Sequence, residues 1–171
     1  MTVDVLKRGY TEKQVAGIAE MVLSNRPDDL LITYALGSCL GLCIYDPVAK
    51  VGGLIHLMLP SSQIDPGRAA TNPERFVDTG VPLLFREAYK LGARKERIIA
   101  KVAGGASMVE AGRADSFQTG KRNYVTLKKL LWKNGVFLKG EDVGGNVSRT
   151  ISLYVASGEV VVKSNGESKL L

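Results

Sequence analysis

The chain is poor in the groups that usually carry chemistry: its 171 residues hold one histidine, His56, and two cysteines, Cys39 and Cys43. A structural zinc site draws on four ligands, usually at C-x2-C or H-x3-H spacings, and neither spacing occurs. Four strand rises of about 3.3 Å would set the cysteines about 13 Å apart, beyond the ~7 Å that a disulfide spans. Aromatic residues are only 6% and are not interleaved with the scattered basic ones. A nucleic-acid module shows a basic stripe with a recognisable motif, so no nucleic-acid partner is expected. No apolar run reaches the length of a membrane span. Met1 to Tyr10 carries Asp4, Lys7 and Arg8 and has no apolar core of a signal peptide. The expectation is a cytoplasmic protein with no membrane insertion, no metal and no cofactor.

What is present suits a single α/β domain over residues 1–171, with its core at about 15–163. Apolar residues make up 45% and charged residues 23%, and the net charge is +6. The basic surface favours an acidic partner. Nineteen glycines, clustered with hydrophobic runs, point to strands and tight turns. Val15 to Ser24 fits a helix after a Thr11-x-x-Gln14 capping box, or a buried strand. Leu30–Leu36 reads as a strand, and Leu40–Tyr45 with Val51–Leu59 as a hairpin around Asp46-Pro47. Ser61 to Asn72 reads as a polar loop. A helix runs from an Asn72-Pro73 cap to Gly92, kinked or restarted at Pro82. Arg97–Ala103 is a strand ended by Gly104-Gly105. Asn123–Asn134 is an amphipathic helix with Val125, Leu130 and Leu131 inward. Val136–Lys139, Thr150–Ala156 and Glu159–Lys163 are further strands, with a turn at Ser157-Gly158. Ser164 to Leu171 reads as a polar tail.

The hairpin makes a geometric forecast. With Asp46–Lys50 as the loop and Tyr45 opposite Val51, Leu40 faces His56 and Cys39 lies diagonally beside it. A shift of one residue changes that partner, so the register stays open. A thiol has a pKa near 8.5, and a neighbouring imidazole can take its proton and later protonate a leaving amine. Thr33, on the preceding strand, is a candidate to orient the imidazole, or an ordinary strand threonine. Cys43, inside an apolar run, reads as a core residue.

The segment Thr33-Tyr-Ala-Leu-Gly-Ser-Cys39, followed by Asp46-Pro47 and His56-Leu-Met-Leu-Pro60, resembles the signature of the CheD family of chemoreceptor glutamine deamidases. Lys101-Val-Ala-Gly-Gly-Ala-Ser-Met108, Thr119-Gly-Lys-Arg-Asn123 and Asp142-Val-Gly-Gly-Asn-Val-Ser-Arg149 are similar to further family segments. Thr119 and Ala103 depart from the pattern. The resemblance implies a layered sandwich of mixed β-sheets flanked by helices, and favours strand for Val15 to Ser24. It also implies Cys39 as nucleophile, His56 as base and Thr33 as the residue that orients His56.

The reaction so implied is hydrolysis of receptor glutamines to glutamates through a Cys39 thioester, with a possible methylesterase activity. Position alone nominates Gly37, Ser38, Gly104 and Gly105 for the substrate side, and the backbone amides near Gly37, Ser38 and Cys39 for the oxyanion. The implied partners are chemoreceptor cytoplasmic helices and a CheC-type phosphatase. Two alternatives stand beside this: a mainly regulatory partner of such a phosphatase, and a cysteine amidase or esterase for another substrate.

Overall fold

The computed structural model describes residues 12–110 and 112–171. The capping box proposed at Thr11, and the segment Met1 to Tyr10, lie outside them. The strands are β1 (Glu12–Val15), β2 (Met21–Ser24), β3 (Asp29–Leu36), β4 (Leu40–Asp46), β5 (Val51–Leu57), β6 (Ile99–Gly104), β7 (Leu138–Val143), β8 (Arg149–Tyr154), β9 (Val160–Ser164) and β10 (Glu167–Leu170). The helices are α1 (Pro66–Thr71), α2 (Val77–Lys90) and α3 (Thr119–Lys133). One sheet runs β1-β3-β8-β9-β10 and the other β2-β5-β4-β6-β7. Both are mixed, because β1 pairs with β3 and β6 with β7 in parallel. This is the layered α/β sandwich that the sequence implied.

β4 and β5 are buried along their whole length, and their side chains alternate between two cores. Leu40, Leu42, Ile44, Ile55 and Leu57 join Leu84 of α2 and Leu127 of α3 on the helical side. Cys43, Tyr45 and Leu54 join Leu31, Ile151 and Leu153 of the opposite sheet in the layer between the sheets. Glycines set how closely the layers approach. A Cβ on Gly41 would come within 2.6 Å of Ile151 and 2.8 Å of Leu36, so only hydrogen fits there.

Several local readings need correction. Val15 to Ser24 is neither a helix nor one strand. The chain leaves the first sheet after β1, bends over 16–20, and enters the second sheet as β2. The bend is held by Ala16 N–H to Ile32 O (2.9 Å), Ala19 N–H to His56 O (3.1 Å) and His56 N–H to Glu20 O (3.0 Å). The segment read as a polar loop contains a 3-10 turn at Ser62–Ile64 and α1. Asn72 closes α1 through its N–H to Arg68 O and makes no side-chain cap to the turn that follows. The long helix begins only at Val77 and runs through Pro82, which forgoes one intrahelical bond without ending it. Val125 is exposed; Asn123, Leu127 and Leu131 form the buried face of α3. The tail is strand β10, antiparallel to β9.

The hairpin register also differs by one. Asp46 pairs with Val51, Gly41 with His56 and Leu40 with Leu57. Asp46 stays in the strand because its carboxylate has work at the turn. It accepts the N–H groups of Val48 (2.9 Å), Ala49 (3.1 Å) and Arg94 (2.9 Å), and pairs with Arg97 at 2.7 Å. Burial pushes its pKa up, but Arg97 and those amides outweigh burial and hold it down to about 2. A depressed carboxylate pKa contributes stability above its ordinary value that is lost as pH falls through the folded one. Asp46→Asn is therefore expected to lower stability at neutral pH by about 3 kcal/mol. Urea unfolding at pH 7 and across pH 4 to 2 checks this, with the variant showing the flatter acid dependence.

Candidate active site

The corrected register decides the chemistry. Residues directly opposite in an antiparallel pair share a face. Because Gly41 faces His56, His56 lies on the same face as Cys39, two residues from Gly41. Had Leu40 faced His56, the thiol and the imidazole would point to opposite sides of the sheet. Gly41, lacking a side chain, lets Ile151, Leu36 and Thr33 of the opposite sheet close in against this face.

His56 is 1% exposed and Thr33 is fully buried. Thr33 belongs to β3 of the opposite sheet, and its Oγ1 lies 2.7 Å from His56 Nδ1 and 2.7 Å from Ala16 O. A hydroxyl has one proton. Thr33 donates it to the Ala16 carbonyl and so accepts from Nδ1–H. This assigns the proton to Nδ1 and leaves Nε2 with its lone pair. Nε2 is buried and has no hydrogen-bond partner among the described residues. Burial holds the imidazole pKa below its usual value, which keeps the ring neutral and able to take a proton.

A bulge separates Thr33 from Cys39: the β3–β8 register shifts between Thr33 and Leu36. Ala35 there adopts φ +56, a left-handed conformation costly for alanine. It turns the chain out of β3 into the loop 37–39. Gly37 N–H is taken by Ala35 O at 3.1 Å, so this amide is spent, against the expectation that it faces an oxyanion. The N–H groups of Ser38 and Cys39 bond to no carbonyl among the described residues.

The two cysteines are both free thiols in different surroundings. Burial raises the Cys39 pKa, opposed by the Arg75 guanidinium and by its own backbone amide. Cys43 is 1% exposed, and burial pushes its thiol much further, with only Lys101 opposing. Cys43 is thus an inert core residue and Cys39 the accessible thiol.

Gly104 and Gly105 are buried and brace the nucleophile loop from its flank. Gly105 N–H donates to Cys39 O, and Ala106 N–H to Gly37 O, both at 2.9 Å. Gly104 has φ +116, and a Cβ on it would lie 2.1 Å from the Cys39 carbonyl oxygen. Gly104→Ala is expected to destabilise by about 3 kcal/mol and to slow Cys39 alkylation, read by urea midpoint and by peptide mass spectrometry. Gly105 also lines a cavity of about 360 Å³ with Ser107, Asp115, Lys121 and Tyr124.

Three contributors escaped the sequence reading. The Ala16 carbonyl carries no side-chain signal at all. Arg75 sits far from Cys39 in sequence, in a segment read as helix. Asn123 was visible in the Gly-Lys-Arg-Asn segment, but no spacing rule assigned it a task.

The family model for CheD, described as CheD chemotactic sensory transduction, matches residues 58–164. A relative from Solibacter usitatus is 48% identical over 160 residues, covering 94% of each chain, and is described as a probable chemoreceptor glutamine deamidase CheD. A Syntrophus aciditrophicus relative of the same description is 48% identical over 152 residues, covering 89% of this chain and 94% of its own. Among solved structures, the hypothetical protein YfiH of Bacillus licheniformis aligns with a TM-score of 0.44 at 13% identity, over 71% of this chain and 49% of its own. By the family match and by both relatives, the chain belongs to the CheD family.

Proposed function

We propose that this protein is a cysteine hydrolase that converts glutamine side chains of chemoreceptors to glutamates and releases ammonia. One observation carries the reading: His56 is locked by Thr33 with Nε2 buried and unpartnered, on the sheet face it shares with Cys39. The relatives' description supplies the substrate.

In the proposed reaction the Cys39 proton passes to His56 Nε2 as Sγ attacks the glutamine side-chain carbonyl carbon. The Ser38 and Cys39 amides face the oxyanion. His56 returns its proton to the departing nitrogen, ammonia leaves, and a thioester remains on Cys39. Water then gives a proton to Nε2 and its oxygen to the carbonyl carbon. The thiol leaves with that proton, and the product is glutamate. A glutamyl methyl ester enters the same thioester with methanol as leaving group. Thr33 touches neither carbonyl nor water; it holds the base. Gly37, Gly104 and Gly105 shape the loop that presents Cys39.

Fit alone separates glutamine from asparagine by only about 1–3 kcal/mol, so selectivity rests on docking to receptor helices. Met108 is an exposed apolar side chain that lies over Gly37, beside the loop that carries Cys39. Incubation with a receptor cytoplasmic fragment, followed by peptide mass spectrometry, tests the reading. A gain of about one mass unit at defined glutamines supports hydrolysis. No gain on several receptors, with a folded protein, favours a regulatory partner of a CheC-type phosphatase. Turnover of free glutamine or short peptides without receptor favours a general amidase. The proposed compartment is the cytoplasm, where receptor signalling helices lie.

A further inference from the structure

We infer that Asn123 is a positioning residue that sets the spacing between Cys39 and His56. The inference rests on the roles proposed above for those two residues. Asn123 lies in α3, fully buried, and its Nδ2 donates to Ser38 O at 3.1 Å and to Met58 O at 2.9 Å. Ser38 is the residue before the nucleophile, and Met58 is two residues beyond the base. The β4–β5 ladder has its last pair at Leu40 and Leu57, so Ser38 and Met58 lie past its end. There no ladder bond joins the two segments, and a single amide group holds both.

Three features make this a built element rather than incidental packing. Both amide hydrogens are engaged, one to each segment, which fixes both carbonyls against one rigid group. The helix that carries Asn123 is itself pressed on the nucleophile loop's brace: a Cβ on Gly120 would come within 2.5 Å of Gly105 and Ala106 backbone atoms. Finally, Asn123 Oδ1 is buried without a partner among the described residues. A buried acceptor left unpaired is a cost that an apolar residue of similar volume would avoid. Asparagine is the side chain that supplies two donors from one planar group at this length.

Asn123→Leu keeps the volume and removes both donors, and Asn123→Ala serves where the leucine variant does not fold. With a thermal melt confirming the fold, kcat on the receptor fragment is expected to fall about 100-fold, as for a misplacement of about 1 Å, while KM stays within about twofold. His56 is the only histidine, so its NMR titration is read without assignment. It is expected to move up from its depressed value towards the ordinary 6.5, because water enters the opened mouth. Burial contributes to that depressed value, and a role in packing alone leaves it in place. A folded variant with kcat within about threefold of the parent and an unmoved histidine titration overturns the inference. If the parent itself modifies no receptor, the proposed function fails, and the histidine titration with Cys39 alkylation still decides the clamp.

Discussion

Cys39→Ala is expected to leave receptor glutamines unmodified, with activity reduced by about 10⁴-fold or more. The thiol is the one group in the site that can form the thioester, and alanine offers no substitute. Cys43→Ala provides the control. Its sulfur lies in the layer between the sheets with Leu54 and Leu153, and burial keeps it protonated. That variant is expected to lose some packing stability and retain activity. The measurement is the mass gain at receptor glutamines under identical conditions for parent and both variants. Iodoacetamide labelling adds a substrate-free check: fragmentation of the labelled peptide, which carries both cysteines, places the adduct on Cys39. Activity surviving in Cys39→Ala, or lost in a folded Cys43→Ala, would reverse the assignment of the nucleophile.

Thr33→Val is expected to lower kcat by about 10²-fold or more while leaving KM close to the parent's. Valine matches the shape of threonine and removes the hydroxyl. The Ala16 carbonyl and His56 Nδ1–H then both lose the hydroxyl that bonds them in a buried site, at about 1–3 kcal/mol of stability. With nothing to hold Nδ1–H, the ring can carry its proton on Nε2 instead, the tautomer that cannot accept the thiol proton. The pH profile of the parent follows from the same environment. His56 is held below 6.5 by burial, so the acid limb of kcat/KM lies below that pH. The unfolded chain binds the histidine proton more readily than the folded one. Stability is therefore complete above about pH 6.5 and declines as pH falls towards the folded value. His56→Gln removes both the acid limb and this slope, and a pH series of urea midpoints beside the rate profile measures them together.

Much of the fold was legible because its signals are local. The apolar runs of β3, β4 and β5, Gly92 after α2, and the Ser157-Gly158 turn each announce themselves within a few residues. The expected nucleophile and base came from the resemblance of the segments around Thr33, Cys39 and His56 to the CheD signature, whereas the hairpin spacing alone was one residue out of register. What failed was set by contacts that no short window contains. Asp46 is a turn residue by composition, yet three backbone amides and Arg97 keep it in the ladder. That single residue moves the register and puts His56 on the face of Cys39. The bend 16–20 is held by β3 and β5 from either side, so its apolar pattern was ambiguous between helix and strand. The last strand reads as polar because it lies at a sheet margin, where side chains meet water on both faces.

Thr33 and His56 stand on different sheets, joined by one short hydrogen bond across the layer between them. The imidazole, the base of the proposed reaction, is therefore aligned by the relative placement of two separate slabs rather than by any one strand. Catalytic groups tolerate displacements of about 0.5 Å, whereas one residue along a strand is about 3.3 Å. A slide of the slabs by a small fraction of one residue would keep every strand paired and every helix intact, and would silence the enzyme. Far-ultraviolet dichroism would not register such a slide. The chemical shift of the lone imidazole would, which makes that one proton a gauge of interlayer alignment under pressure, mild denaturant or a bound partner.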